Sequence, residues 1–136
     1  MKKLLPALIT SLLLSNYAFA DETPVTATQL SEHVYVLFGQ GGNIAASVGE
    51  DGIYIIDDQF AKLSNDIKKT ISDLKPGSAE FVINTHHHGD HTGGNENFAK
   101  AGAHVIAHDN VHKRLEEKHG ANSDYLPRIS FGHDLK

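Results

Sequence analysis

The densest chemistry in the sequence lies in one segment, Asn84-Thr85-His86-His87-His88-Gly89-Asp90-His91-Thr92-Gly93-Gly94-Asn95. The chain holds 10 histidines in 136 residues, and four of them fall between positions 86 and 91. The pattern is H-x-H-x-D-H. Neutral imidazole nitrogen and carboxylate oxygen both bind zinc well, at about 2.0–2.2 Å. His86 and His88 stand two apart, so on extended backbone they point to one side and His87 points away. Gly89 lets the chain turn, and Asp90 and His91 then approach from another direction. Four ligands from six residues surround a single tetrahedral ion only with strain. Two neighbouring ions about 3.5–4 Å apart fit better, and such pairs clamp the attacking and leaving oxygens of a hydrolysis. His86, His88, Asp90 and His91 are therefore the candidate metal ligands. Burying imidazoles this densely without partners would be costly, so a purely structural role is a poor alternative. Thr92-Gly93-Gly94 lets backbone pass close by without side-chain bulk.

The elements around this segment follow from pattern. Phe81-Val82-Ile83 is a short continuous apolar run, the signature of a strand buried on both faces. It delivers the histidines to the carboxyl end of a sheet, where α/β proteins bind ligands. Val34 to Phe38 is a β-branched and aromatic strand, followed by a glycine turn at 39–42. Asn43 to Val48 and Ile53 to Ile56 form a hairpin around Asp51-Gly52. That second strand ends in Asp57-Asp58; if it neighbours Phe81 to Ile83, one of these carboxylates, with Asp57 as the candidate, receives an imidazole N–H from the histidine segment, the alternative being an ordinary turn or helix cap. Phe60, Leu63, Ile67, Ile71 and Leu74 recur at spacings of three and four, which predicts an amphipathic helix ended by Pro76-Gly77. A short helix is expected at Asn95 to Lys100 and a strand at His104 to Ala107. A helix to about Lys118 follows, capped by Asp109 and closed by Gly120. Asp21 to Gln29 reads as a frayed polar start, and Asn122 to Lys136 shows turn residues with no period. The order predicts a mixed α/β layered domain with helices on at least one sheet face.

The segment Thr85 to Gly94 closely resembles the metal-binding motif of the metallo-β-lactamase-fold hydrolases. Gly42-Asn43-Ile44-Ala45-Ala46, the strand ending Ile55-Ile56-Asp57 and the helix after it are similar to the family's amino-terminal half. The likeness spans roughly residues 30 to 120. It implies a zinc-dependent hydrolase of the αββα sandwich fold, with only the first αβ half present. His86 and His88 would serve a first zinc. Asp90 and His91 would serve a second, and Asp90 would also be catalytic by orienting a metal-bound hydroxide for attack on an ester, thioester or amide carbonyl of a small-molecule substrate. The family's later ligands are a histidine after a glycine, a bridging aspartate and a last histidine. Gly132-His133-Asp134 resembles the first of these but comes three residues before the end. The expectation is an amino-terminal fragment with little activity alone, lacking the carboxyl-terminal half. Asp124 is a weak substitute for the bridging aspartate. Two other functions remain open: a non-enzymatic periplasmic metal-binding protein, and an iron-dependent sulfur oxidase of the same fold, because this ligand set does not choose zinc over iron.

The remaining histidines carry less. His104 and His108 flank a strand and suit packing or surface roles, and His112 and His119 lie on a charged helix face. Met1-Lys2-Lys3, the apolar stretch Leu4 to Leu14 and Ala18-Phe19-Ala20 together have the layout of a secretory signal peptide spanning residues 1–20. The stretch is too short to remain as a membrane span. The destination is the periplasm or beyond, with residues 21–136 as the mature domain. Cysteine is absent, which leaves no disulfide or thiolate chemistry. A net charge of −5 provides no basic footprint for nucleic acid.

Overall fold

The computed structural model describes residues 24–134. The leader expected at 1–20 lies outside the described residues. Seven strands form one sheet in chain order: β1 Thr26–Gln29, β2 Val34–Phe38, β3 Ile44–Gly49, β4 Gly52–Ile56, β5 Phe81–Asn84, β6 His104–His108 and β7 Ile129–Phe131. Strands β1 to β4 pair antiparallel as a meander, and β4 to β7 pair parallel. The helices are α1 Ser64–Leu74, α2 Gly89–Thr92, α3 Asn95–Lys100 and α4 Asp109–His119, with a 3-10 turn at Ala61–Leu63 before α1.

Two strands arise where sequence periodicity offers no signal. The polar start holds β1, whose Ala27 pairs with Leu37 of β2. It is an exposed edge strand, so it needs no apolar alternation, and its threonines suit a pleated backbone. The tail holds β7, which is only three residues long and borrows its register from β6. The third correction concerns α4. His108, not Asp109, is its N-cap: the His108 Nδ1 accepts the Asn110 N–H at 3.0 Å, and Asp109 is the first helical residue.

The apolar stripe foreseen for α1 is the one that packs. Leu63, Ile67 and Ile71 are buried against Leu37, Ile44, Ile55, Val82 and Val105 of the sheet, together with Phe98 of α3. Val111 and Leu115 of α4 join Ala107 and Leu126 in a second cluster. Side chains alternate along each strand, so these contacts place all the longer helices on one sheet face. The other face carries Val36, Ala45, Ile56, Phe81, Ile83, Ile106 and Ile129, related by register. Its strand positions include no Asp, Glu, Lys or Arg among the described residues. A sheet face left to water usually alternates in polar residues, and this one does not.

One consequence of the parallel pairing governs the site. Ile56 lies opposite Ile83, so β4 and β5 end side by side. The peptides that follow, Asp57 to Gln59 and Thr85 to His88, leave the sheet at the same edge. The Asp57 N–H donates to the Ile83 carbonyl at 2.9 Å and continues that ladder by one residue.

Candidate metal centre

The histidine segment is a bend at 85–87 followed by the single turn of α2, with His88 as its N-cap in extended conformation. The His86 and His88 rings stand 4.7 Å apart, and those of His86 and His91 stand 4.0 Å apart. His87 lies 6.5 Å from His86. Its proton affinity is lowered by desolvation, then by the Arg114 cation on α4, then by neighbouring His88 and His86 and lastly by Lys118. The His87 ring lies 4.7 Å from that of His88, so it is not set apart from both neighbours as strand alternation predicts, because residues 85–87 form a bend and not extended strand. Asp90 Oδ2 lies 3.3 Å from His91 Nε2.

Gly89 is a further correction. It has no positive φ, and a methyl added there would meet nothing within 4 Å. The turn is made by ordinary helical backbone, so Gly89→Ala should stabilise the chain by about 0.5–1 kcal/mol through a better helix propensity. Thermal denaturation of that variant checks this, and a lower midpoint would contradict it.

Asp57 organises the cluster. Its side chain is almost completely buried, and it accepts three hydrogen bonds. The Thr85 N–H donates to Oδ1 at 2.8 Å, the Thr85 hydroxyl to Oδ2 at 2.7 Å, and His91 Nδ1 meets Oδ2 at 2.7 Å. Asp57 is acceptor-only when ionised, so Nδ1 of His91 carries a proton, and Nε2 faces the Asp90 carboxylate. The Thr85 hydroxyl gives its single proton to Asp57. It therefore accepts at its 3.0 Å contact with His86 Nδ1, which puts a proton on that nitrogen. One carboxylate thus orients two imidazoles, one directly and one through a hydroxyl.

Ligand-type atoms of Asp57, His86 and His91 lie within 4.8 Å of one another, the spacing a metal ion can bridge. His88 adds an exposed imidazole and Asp90 a half-buried carboxylate beside this trio. Imidazole nitrogens and carboxylate oxygens gathered at this spacing fit a zinc-type ion.

The neighbouring polar groups brace the segment. Asn84 Nδ2 donates to the His91 carbonyl at 3.3 Å, and Asn95 Nδ2 donates to Asn84 Oδ1 at 2.9 Å and to the Tyr125 carbonyl at 3.0 Å. The Asp58 N–H donates to the His91 carbonyl at 3.0 Å, and Asp58 Oδ1 accepts the Gly94 N–H at 2.8 Å. Burial pushes the Asp58 carboxyl well above its usual range. The Gly94 bond pulls it back in part, and neighbouring Asp57 adds to the rise. These braces were invisible in the sequence, where only the presence of Asn84, Asn95 and Asp58 beside motif residues marked them.

The remaining histidines stay outside the cluster. His108 Nε2 donates to the Gly132 carbonyl, and Nδ1 serves as the α4 cap. His112 is not simply solvated, because its Nδ1 contacts the Pro127 carbonyl at 3.0 Å. His119 stacks on Tyr125 at 3.8 Å. Asp124 is paired with Arg128 at 2.8 Å on the surface, which removes it from any bridging role in this arrangement.

The sequence profile of the metallo-beta-lactamase superfamily matches residues 57–133, more than half of the chain. The protein belongs to the metallo-beta-lactamase superfamily. Its fold is similar to that of the FIM-1 metallo-beta-lactamase of Pseudomonas aeruginosa in its mono-zinc form, with a TM-score of 0.69 and 15% identity, covering 86% of this chain and 54% of that one. BJP-1, a subclass B3 metallo-beta-lactamase of Bradyrhizobium japonicum, gives a TM-score of 0.64 and 23% identity, with 85% of this chain and 46% of that one covered. A metallo-beta-lactamase of Cronobacter sakazakii gives a TM-score of 0.64 and 21% identity over 85% and 47% of the two chains. No curated protein sequence matches it. The metallo-beta-lactamase fold is thus present as a partial sandwich, and the chain spans about half the length of the solved structures it matches. No helix among the described residues is long and apolar enough to cross a membrane.

Proposed function

We propose that this chain is the metal-binding half of an exported zinc-dependent hydrolase acting on an ester, thioester or amide carbonyl of a small molecule. The observation that carries this reading is the convergence of Asp57, His86 and His91, whose ligand-type atoms lie within 4.8 Å of one another. His86 and His88 are the residues that would hold a first ion, and Asp90 and His91 a second. Zinc bound there supplies a Lewis acid and lowers the pKa of water to about 7. Asp90, half-buried at the cluster's edge, orients the attacking water through its carboxylate. Asp57 keeps the His91 imidazole in the tautomer a metal requires. The uncharged sheet face is where a carboxyl-terminal half, bearing the rest of the ligands, would pack. Export to the periplasm or beyond is part of this proposal and rests on the signal-like residues 1–20.

A second reading, supported by the donor cluster alone, is a metal-binding protein without turnover. Residues 21–136, expressed and purified, should bind metal in a chelator-reversible way and hydrolyse esters weakly or not at all. Elemental analysis of the purified protein separates zinc from iron. Two tightly held zinc ions with multiple turnovers would overturn the half-site reading. A folded chain that binds no divalent ion would sink the hydrolase reading itself.

A further inference from the structure

Gln59 takes a backbone conformation that side chains seldom adopt, with φ at 54°, two residues after Asp57 at 65°. It is fully buried, which is costly for an amide unless both ends are bonded. Here both are. Nε2 donates to the Gly42 carbonyl, and Oε1 accepts the Gln40 N–H at 3.1 Å. The Gln59 carbonyl in turn accepts the Gly94 N–H at 3.1 Å. One residue thus joins the loop between β2 and β3 to the turn that follows α2.

The loop held this way lies against two candidate ligands. A methyl group at Gly42 would come within 2.4 Å of His91 Cε1, and one at Gly41 within 3.1 Å of Asp90 Cβ. Asp57 holds only the Nδ1 edge of the His91 ring. The Gly42 backbone is packed against the ring as well, and that backbone is positioned by Gln59. We propose that Gln59 is a positioning residue, clamping the Gly39–Gly42 loop against His91 so that the ring stays with Nδ1 on Asp57 and Nε2 directed into the cluster. The inference rests on the metal reading above only for what Nε2 goes on to bind. The ring orientation is a property of the metal-free chain.

The test uses the chain with 15N-labelled histidine and no metal. Long-range proton–nitrogen correlation should show His91 as a single species whose Nδ1 is protonated, the nitrogen held by Asp57. Gln59→Met keeps the volume and removes both hydrogen bonds. In that variant the His91 signals should average between tautomers while those of His112 stay in place, and zinc affinity should fall about tenfold, the scale of losing an outer partner of a ligand. A merely structural role would lower stability without changing the His91 tautomer. A folded Gln59→Met protein with an unchanged single His91 tautomer would overturn the proposal. Should Gln59→Met fail to fold, Gly42→Ala decides instead. Its clash is with a movable side chain, so the fold should survive and the His91 ring should be displaced. An undisturbed His91 in Gly42→Ala overturns the clamp. Absence of zinc binding in the parent chain would refute the function reading while leaving the metal-free measurement decisive for Gln59.

Discussion

Asp57→Ala is expected to lower stability by about 2–4 kcal/mol and to weaken metal binding 10–100-fold. The substitution strips the acceptor from the Thr85 N–H, the Thr85 hydroxyl and His91 Nδ1 together. Thr85 is exposed, so water can replace part of what its donors lose. Removing a negative charge beside buried Asp58 gives some energy back, because Asp57 raises the Asp58 carboxyl's pKa. Those two offsets keep the estimate below the sum of three charge-assisted bonds. Alanine also fits the positive φ of 65° poorly, which adds to the loss. Asp57→Asn separates the contributions. It tolerates that φ and keeps one acceptor for Thr85, but its NH2 cannot accept from His91. Asn should therefore recover most of the stability and little of the metal affinity. Chemical denaturation and zinc titration of the two variants check this, and equal metal affinity in Asp57→Asn and the parent would refute the role given to the carboxylate.

Gly93→Ala is the second large effect. A methyl there would stand 2.5 Å from the Gly89 carbonyl oxygen, 2.6 Å from that of Gln59 and 2.9 Å from Phe60 Cα. All three are backbone atoms, so no side chain can swing aside. Overpacking of this kind costs about 1–3 kcal/mol or more, and the rigid contacts put it at the upper end. For a domain of this size that lowers the melting midpoint by roughly 10 °C. The same methyl at Gly89, four residues earlier, meets nothing. A pair of melting curves therefore distinguishes two glycines that look alike in the motif, and similar midpoints for the two variants would contradict the packing described.

The motif carries its own chemistry. Residue type and spacing singled out His86, His88, Asp90 and His91, and the His86 ring stands 4.7 Å from that of His88 and 4.0 Å from that of His91. The central strands and α1 were equally legible, because burial on one or both faces imposes a repeat of 2 or 3.6 residues. The edge strands β1 and β7 were not legible. An edge is half solvated and takes its register from a neighbour, so nothing periodic is required of it.

Gly89 and Gly93 show a different limit. Sequence says that a glycine stands there, but whether it is needed for a turn or for close approach depends on what packs against it. Only the fold shows that Gly93 lies under the Gln59–Phe60 backbone while Gly89 faces open space.

The sequence by itself thus determined the dense set of metal-binding side-chain types, the direction of the central strands' side chains and the likeness to a metallo-hydrolase family, since each depends on residues close together in the chain. The tertiary structure decided which groups support those ligands. Asp57 reaches Thr85 across 28 positions and His91 across 34, and Gln59 reaches Gly42 across 17. Those contacts exist because parallel pairing sets the ends of β4 and β5 side by side, and no local pattern of residues records that adjacency.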